Sequence, residues 1–273
     1  MTHPHVVSIH DHFSYSQIST FKMCREQYKI VYIDGVRKDA ESLEAFMGKC
    51  VHATLEWLYL PRNMNKLYVT FDRVCQKYDE IWMNLWHERV FISDPKCTTD
   101  GFYTIGKRCL ANYYNKYGPT FEQGVVGVEV ELEFTLAKDY HFRGVIDRLD
   151  HPEQGKWTIH DYKTGKHVKS ERTARSDLQL AIYQIAVLEN FEDVNEIILK
   201  WHYLRTGSEV TIVHNGDDIK RFKRRLIREV DKILDLTKDP GNLYPNESIL
   251  CNWCYRWEEC SAKTCPNPAK GAS

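Results

Sequence analysis

The chain has no apolar run long enough to span a bilayer, and its opening residues, MTHPHVVSIHDHF, contain neither a basic nor an apolar segment. A membrane or secreted protein is therefore not expected, and a cytoplasmic one is. Net charge is also lacking: 37 Lys and Arg stand against 38 Asp and Glu, leaving −1 at pH 7 with a pI near 6.9. No global field draws nucleic acid to such a chain, so any binding of that kind must come from local basic faces or a bound metal. Internal repeats and low-complexity segments are absent. Without a secretion signal the nine cysteines are not expected to form a disulfide framework, and they point to metal or cluster ligation or to buried thiols.

What is present suits a packed interior. The 273 residues are 42% hydrophobic and 12% aromatic, enough for one large domain or a core with a subdomain. The most informative stretch is Gly144 to Lys166, GVIDRLDHPEQGKWTIHDYKTGK. It reads as two strands joined by a polar Pro/Gln/Gly turn, the first leading to Asp147 and the second to Asp161. Lys163, two residues past Asp161, lies on the same strand face. Two carboxylates and an ammonium at strand ends suit a divalent metal and a polarised water attacking a phosphodiester. Taken alone, the same residues also read as turn acids and a solvated edge lysine.

Ser14 caps a short helix with Ile18, Phe21, Tyr28, Ile30 and Val31 on its apolar side and Cys24 inside it. A second helix runs from about Ser42 to Leu60, with Leu43, Phe46, Met47, Val51, Leu55 and Leu58 forming a buried stripe and His52 in its middle. A lone histidine there is commonly a core or surface residue. Residues 65–118 read as helical around a loop from Phe91 to Gly101. Aromatics such as Tyr78, Trp82, Trp86 and Tyr113 have the spacing of core residues, although aromatics also stack on single-stranded bases. From Val126 to Phe134, Val and Leu alternate with Glu129, Glu131 and Glu133, predicting a half-buried strand whose acidic outer face is most simply solvated, although a glutamate placed near a metal would be able to join its shell.

After Lys166 the chain turns basic, with Lys169, Arg172 and Arg175. Asp177 then caps a helix on which Gln179 and Tyr183, four residues apart, share a face. Strands follow at Glu196 to Tyr203 and Glu209 to His214 around Thr206-Gly207. A basic helix, Asp217 to Leu236, carries Lys220, Arg221, Lys223, Arg224, Arg225 and Arg228, either as a solvated face or as a phosphate contact. The tail from Pro240 has little regular pattern and holds Cys251-x2-Cys254-x5-Cys260, three thiolates at ligand spacing, with Cys265 close behind. Four tetrahedral sulfur donors suit either zinc or [4Fe-4S].

The order SYSQISTFKMC, GKCVH, GVID, DYKTG, QLAIY and a terminal cysteine group resembles the RecB-type nucleases of the PD-(D/E)XK superfamily, in particular the iron-sulfur subgroup that includes the AddB nuclease domain and small CRISPR-associated and phage exonucleases. The resemblance covers nearly the whole chain. The family proline before the first acid is replaced by Ile146. The fold implied is an α/β nuclease core in one domain spanning 1–273, with a mixed central sheet flanked by helices, a helical insertion at 61–120 and an iron-sulfur clasp at 240–273. The resemblance implies that His52, Asp147, Asp161 and the Tyr162 carbonyl bind Mg2+ or Mn2+. It makes Lys163 the residue that orients or deprotonates the attacking water, with Gln179 and Tyr183 holding substrate and Lys163. It gives the cluster to Cys24, Cys251, Cys254 and Cys260, with Cys265 as the alternative last ligand. The activity implied is metal-dependent cleavage of DNA, exonucleolytic on single strands or frayed ends, in company with a helicase, a recombinase or a CRISPR adaptation partner. A non-catalytic iron-sulfur DNA-binding subunit and a zinc-stapled interaction module are the competing readings. The first would lack metal-dependent cleavage, and the second would lack iron as well.

Overall fold

Hydroxyl side chains start the N-terminal helices. In the computed structural model, which describes residues 12–60, 63, 68–121 and 124–263, Ser14 accepts the Gln17 amide at the head of α1 (Tyr15–Met23), and α2 (Arg25–Tyr28) follows. Ser42, Thr70 and Thr98 likewise cap α3 (Leu43–Leu58), α4 (Phe71–Leu85) and α5 (Thr99–Tyr117), each satisfying an amide that the first helical turn leaves without a partner. The short strands β1 (Glu41–Ser42) and β2 (Val90–Phe91) pair in parallel beside them. Cys24 departs from the sequence reading. It lies outside the helix, at the break between α1 and α2, with extended backbone (φ −156°, ψ 115°).

The central sheet takes β3 (Val125–Leu136), β4 (Tyr140–Glu153), β5 (Lys156–Lys163), β6 (Glu196–Tyr203) and β7 (Ser208–Val213) in sequence order. All neighbours are antiparallel except β5 and β6. That parallel pair needs a long crossover, supplied by α6 (Glu171–Ala174) and α7 (Leu178–Asn190). α8 (Gly216–Thr237) follows β7. The result is the expected α/β architecture, a mixed sheet between helical layers. Apolar residues of α1, α7 and α8 fill one core with Ile146, Ile159 and Leu199, and those of α3, α4 and α5 fill a second with Tyr162 and Leu204. Most of the aromatics in α4 and α5 pack in this second core, whereas Tyr68 and Trp86 are exposed. Among the described residues no helix is long and apolar enough to cross a membrane.

Strand alternation decides which side chains meet which layer. On β5, Trp157 and Ile159 join the α7 core while Tyr162 joins the α3–α5 core. The expected alternation on β3 holds only from Val130 onward. Val130 packs toward α7, but Val128 packs toward α3–α5 and Val126 is exposed. Opposite them, Ile146 belongs to the α7 core, whereas Arg148 donates to Tyr113 in the other layer. Both strands therefore change faces at the same level, at Glu129 and Asp147. Glu129 makes this possible with φ 48°, a left-handed conformation uncommon for a residue with a side chain.

Below that level the α3–α5 face of the sheet holds a chain of buried polar groups. Arg148 reaches Asp150 (2.8 Å), His160 contacts Asp150 (3.0 Å) and His202 (2.8 Å), and His202 contacts Glu209 (2.9 Å). Burial, reinforced by the Arg148 charge, pushes both histidines below their ordinary range. They stay neutral in the fold, whereas the unfolded chain takes up their protons below about pH 6.5. Acid therefore favours unfolding. Stability should be fully present above about pH 6.5 and should fall as the pH drops below it, where the unfolded chain takes up protons that the folded histidines resist. Urea denaturation at pH 7.5, 6.5 and 5.5 checks this, and a flat profile would show that the histidines accept protons within the fold.

Candidate active site

The change of faces at Asp147 brings three elements to one point. Asp147 accepts the Tyr162 amide (2.6 Å) from β5, and its other oxygen lies 3.6 Å from His52 Nδ1. The opposite nitrogen of His52, Nε2, lies 3.0 Å from the Tyr162 carbonyl. α3 can deliver His52 this closely because residue 48, one turn earlier, is glycine. A Cβ there would stand 3.0 Å from Thr164 Oγ1. Burial alone would lower the His52 pKa, yet the hydrogen bond and charge of Asp147 raise it overall. Burial alone would raise that of Asp147, but His52, the Tyr162 amide and Lys163 hold it below the usual carboxylate range.

Asp161 and Lys163, on the α7 side of β5, form the second part. Asp161 is 1% exposed, and Lys163 Nζ pairs with it at 2.6 Å. Burial, joined by the Asp147 charge, lifts the Asp161 pKa to about 6 against the opposing pull of Lys163. Burial would lower the Lys163 pKa, but Asp161 raises it overall, so the lysine is a fixed cation. Lys163 also donates to Gln179 Oε1 (3.0 Å), whose amide nitrogen donates to the Tyr183 hydroxyl (2.9 Å). Asp177 caps α7 by accepting the Gln179 amide (2.8 Å), which places that side chain at the helix start. Tyr183 can lie against β4 because residue 144 is glycine, since a Cβ there would come within 2.9 Å of its ring. The structure thus joins Lys163, Gln179 and Tyr183 into one hydrogen-bonded row and sets His52, Asp147 and Tyr162 beside it.

Glu129 is the residue that the motifs did not single out. It shares a group with His52 and Asp147 in which one ligand atom from each lies within 4.8 Å of the others. Burial and the Asp147 charge raise its pKa. The sequence offered it only as one of three glutamates on an acidic face, and no strand pattern reveals a positive φ. An imidazole and two carboxylates suit a divalent metal such as Mg2+ or Mn2+. The group opens to a cleft of about 400 Å³ that Gly48, Lys49 and Glu56 also line.

The cysteines meet elsewhere. Cys24, Cys251, Cys254 and Cys260 line one cavity of about 140 Å³, and all four are free thiols. The backbone break at Cys24 frees its position from the helix. Its sulfur accepts the Asn246 amide (3.5 Å), and that of Cys251 accepts the Ser248 amide (3.4 Å). Burial, with the neighbouring thiols, raises the pKa of Cys254 and Cys260. Other contacts fasten the tail to the N-terminal segment, including Asn246 to the Met23 carbonyl (2.9 Å) and Lys38 to Glu258 (2.6 Å) and Glu259 (2.7 Å). Cys265 lies outside the described residues.

Comparison with solved structures gives an independent view of the fold. The crystal structure of a protein from Eubacterium rectale named a "putative exonuclease" superposes with a TM-score of 0.52 at 15% identity, covering 93% of this chain and 91% of that one. The protein SSO0001 is also 15% identical over 88% of this chain and 96% of its own, at a TM-score of 0.34, too loose to bear on the fold. No curated protein sequence matches. The sequence profile of the PD-(D/E)XK nuclease superfamily, however, matches residues 12–261, an interval that includes both acids, the lysine and the terminal cysteines through Cys260. With a profile match over most of its length and the corresponding fold, the chain belongs to the PD-(D/E)XK nuclease superfamily.

Proposed function

We propose that the protein is a metal-dependent deoxyribonuclease acting exonucleolytically on single-stranded or frayed DNA. The observation that carries the catalytic reading is the position of Lys163, paired with Asp161, hydrogen-bonded to Gln179 and adjoining the Asp147–His52 pair. The exonucleolytic reading rests on the order of the sequence motifs, with support from the name of the structural neighbour. Asp147, His52 and Glu129 supply donors of the right chemistry for Mg2+ or Mn2+, with Asp161 and the Tyr162 carbonyl next to them. A bound divalent cation would offset the repulsion between the carboxylates and a phosphodiester and would polarise the reacting groups. Lys163 remains charged and stabilises negative charge that develops on the phosphate. Gln179 fixes the ammonium from one side and Tyr183 fixes Gln179, so the lysine has one orientation rather than many.

Cys24, Cys251, Cys254 and Cys260 are the proposed ligands of a structural [4Fe-4S] cluster. The four line one cavity, and the resemblance of the motif order and terminal cysteine spacing to the iron-sulfur subgroup favours a cluster over a single zinc ion. Protonated thiols must become thiolates on ligation, so the raised values at Cys254 and Cys260 describe the unligated protein.

End-labelled single-stranded DNA with Mn2+ should be degraded by the protein, and Lys163→Ala should reduce the rate roughly 10²–10⁴-fold. Equal degradation by both would remove the catalytic assignment. Glu129→Gln should weaken Mn2+ binding, read by isothermal titration calorimetry, because one of three converging donors loses its charge. Unchanged affinity would remove Glu129 from the ligand set. Anaerobically purified Cys24→Ala should lose iron, sulfide and several degrees of melting temperature, since the cluster joins chain segments more than two hundred residues apart. Full cluster absorbance in that variant would overturn the ligand assignment.

A further inference from the structure

The six basic residues that the sequence places between Lys220 and Arg228 do not form a uniform solvated face. Local acids occupy several of them: Lys220 lies 3.6 Å from Asp217, Arg221 2.5 Å from Asp218 and Lys223 2.5 Å from Glu189. Arg225 turns inward, donating to the Ser176 carbonyl (2.9 Å) with Glu229 4.0 Å away. Arg224, Arg228 and, farther along α8, Lys232 are different. All three are exposed, and among the described residues none has an acidic partner. They lie four residues apart, and with Lys220 they form one row about 18 Å long with steps of about 6 Å. Such a step is close to that between successive phosphates of a single strand. The opposite face of the helix is committed to the core through Phe222, Leu226, Val230 and Ile233.

The helix that carries this row adjoins the head of α7, next to the candidate active site. Lys163 binds Gln179, Asp177 caps the same helix start and pairs with Lys169, and Ser176 next to it receives Arg225 from α8. Between these groups lies an open cleft of about 240 Å³ that Ser19, Lys22, Thr173 and Arg225 help to line. The polar contacts thus lead from the lysine, past the head of α7, to the helix that carries the row. With a net charge of −1 the rest of the surface supplies no general attraction for a polyanion, so a local row of unpaired cations is the expected means of holding one.

We propose that Arg224, Arg228 and Lys232 of α8 form an accessory track for the phosphate backbone of a single nucleic-acid strand that runs over the head of α7 into the active site. The proposal rests on the nuclease reading for the direction of the strand, but not for the track itself. The track holds phosphates rather than bases, so it confers affinity for length and little sequence preference. It lies outside the catalytic groups, so its loss should leave the chemistry on a short substrate intact.

The test compares the protein with the triple variant Arg224→Ala/Arg228→Ala/Lys232→Ala, both in a Lys163→Ala background that blocks turnover. Fluorescence anisotropy would follow labelled single strands of about 6 and about 20 nucleotides over a salt series. The triple variant should bind the longer strand at least tenfold more weakly and lower its log–log salt slope by about 2, since each neutralised phosphate contributes about 0.7. Binding of the shorter strand should be unchanged. With Lys163 restored and Mn2+ present, cleavage of the short strand should also be unaffected. Identical affinity and slope for the longer strand would overturn the track, and so would equal weakening for both lengths with an unchanged melting temperature. Absence of cleavage by the unaltered protein would count against the nuclease reading alone, because anisotropy measures the track without turnover.

Discussion

Holding two carboxylates together out of water is the constraint on which the rest of the site depends. Asp147 and Asp161 come from neighbouring strands, and Asp161 is almost wholly buried. Burial disfavours the charged form of Asp161 and the like charge of Asp147 adds to this, so its pKa is driven up to about 6 even with Lys163 beside it. Every nearby polar contact acts against that penalty. The Tyr162 amide and His52 stabilise the Asp147 charge, and Lys163 stabilises that of Asp161. Removing any one of these partners leaves a buried charge exposed to its neighbour, so the groups behave as one unit rather than as separable contacts.

The reverse of β5 carries a matching set of constraints. His160 and Tyr162 point away from α7, and each is held by groups from other elements: His160 by Asp150, Arg148 and His202, and the Tyr162 hydroxyl by Tyr113 (3.3 Å). Arg148 in turn binds Tyr113 (2.8 Å) and lies over the Tyr59 ring at 4.1 Å. Buried polar networks cost free energy unless their groups find partners, and once partnered they permit few alternative arrangements. Fixing His160 and Tyr162 on one face fixes the register of Asp161 and Lys163 on the other, because a slip of one residue would exchange the two faces. The geometry of the candidate active site is therefore set partly by side chains on the opposite face of the sheet.

The sequence disclosed those parts of the protein that repeat or that carry rare residue types. Periodicity gave the α3 stripe and residue type gave the cap at Asp177, because burial of one face enforces a period that the residues themselves display and an acid at a helix start satisfies free amides. The acids and lysine stood out only through the order of the motifs around them, since alone they also read as turn acids and a solvated edge lysine. Three things were not legible. Glu129 joins His52 and Asp147 through a positive φ within a strand, and a glutamate in an alternating run gives no sign of its backbone conformation. Cys24 falls at a helix break that its neighbours, Met23 and Arg25, do not announce, since neither is a breaker. The row on α8 looked like one continuous charge run; Asp217, Asp218 and Glu229 of the same helix pair some of its cations, and Glu189 and Ser176, from distant sequence, engage Lys223 and Arg225.

These three cases share a physical cause. In each, a side chain is defined by what is absent from its own segment: an opposing strand that bends, a tail that returns, an acid from another helix. Local pattern records the demands of burial, which act on every turn of a helix or every second strand residue. Both candidate sites of this chain arise where that pattern is interrupted. At Glu129 and Asp147 the strands exchange faces, and at Cys24 the first helix stops. The interruption at Asp147 is what lets one strand contribute Gly144 and Ile146 to the α7 core, an acid to the cleft, and Arg148 to the network behind it within five residues. A strand of strict alternation would place Asp147 on the face opposite Ile146 and Arg148 together. The arginine would then lie in the α7 core without Tyr113 or His160, and its charge would have to be accommodated among Leu180, Ile182 and Ile185. The change of faces therefore serves both the acid and the arginine, which ties the position of the candidate catalytic carboxylate to the stability of the sheet that carries it.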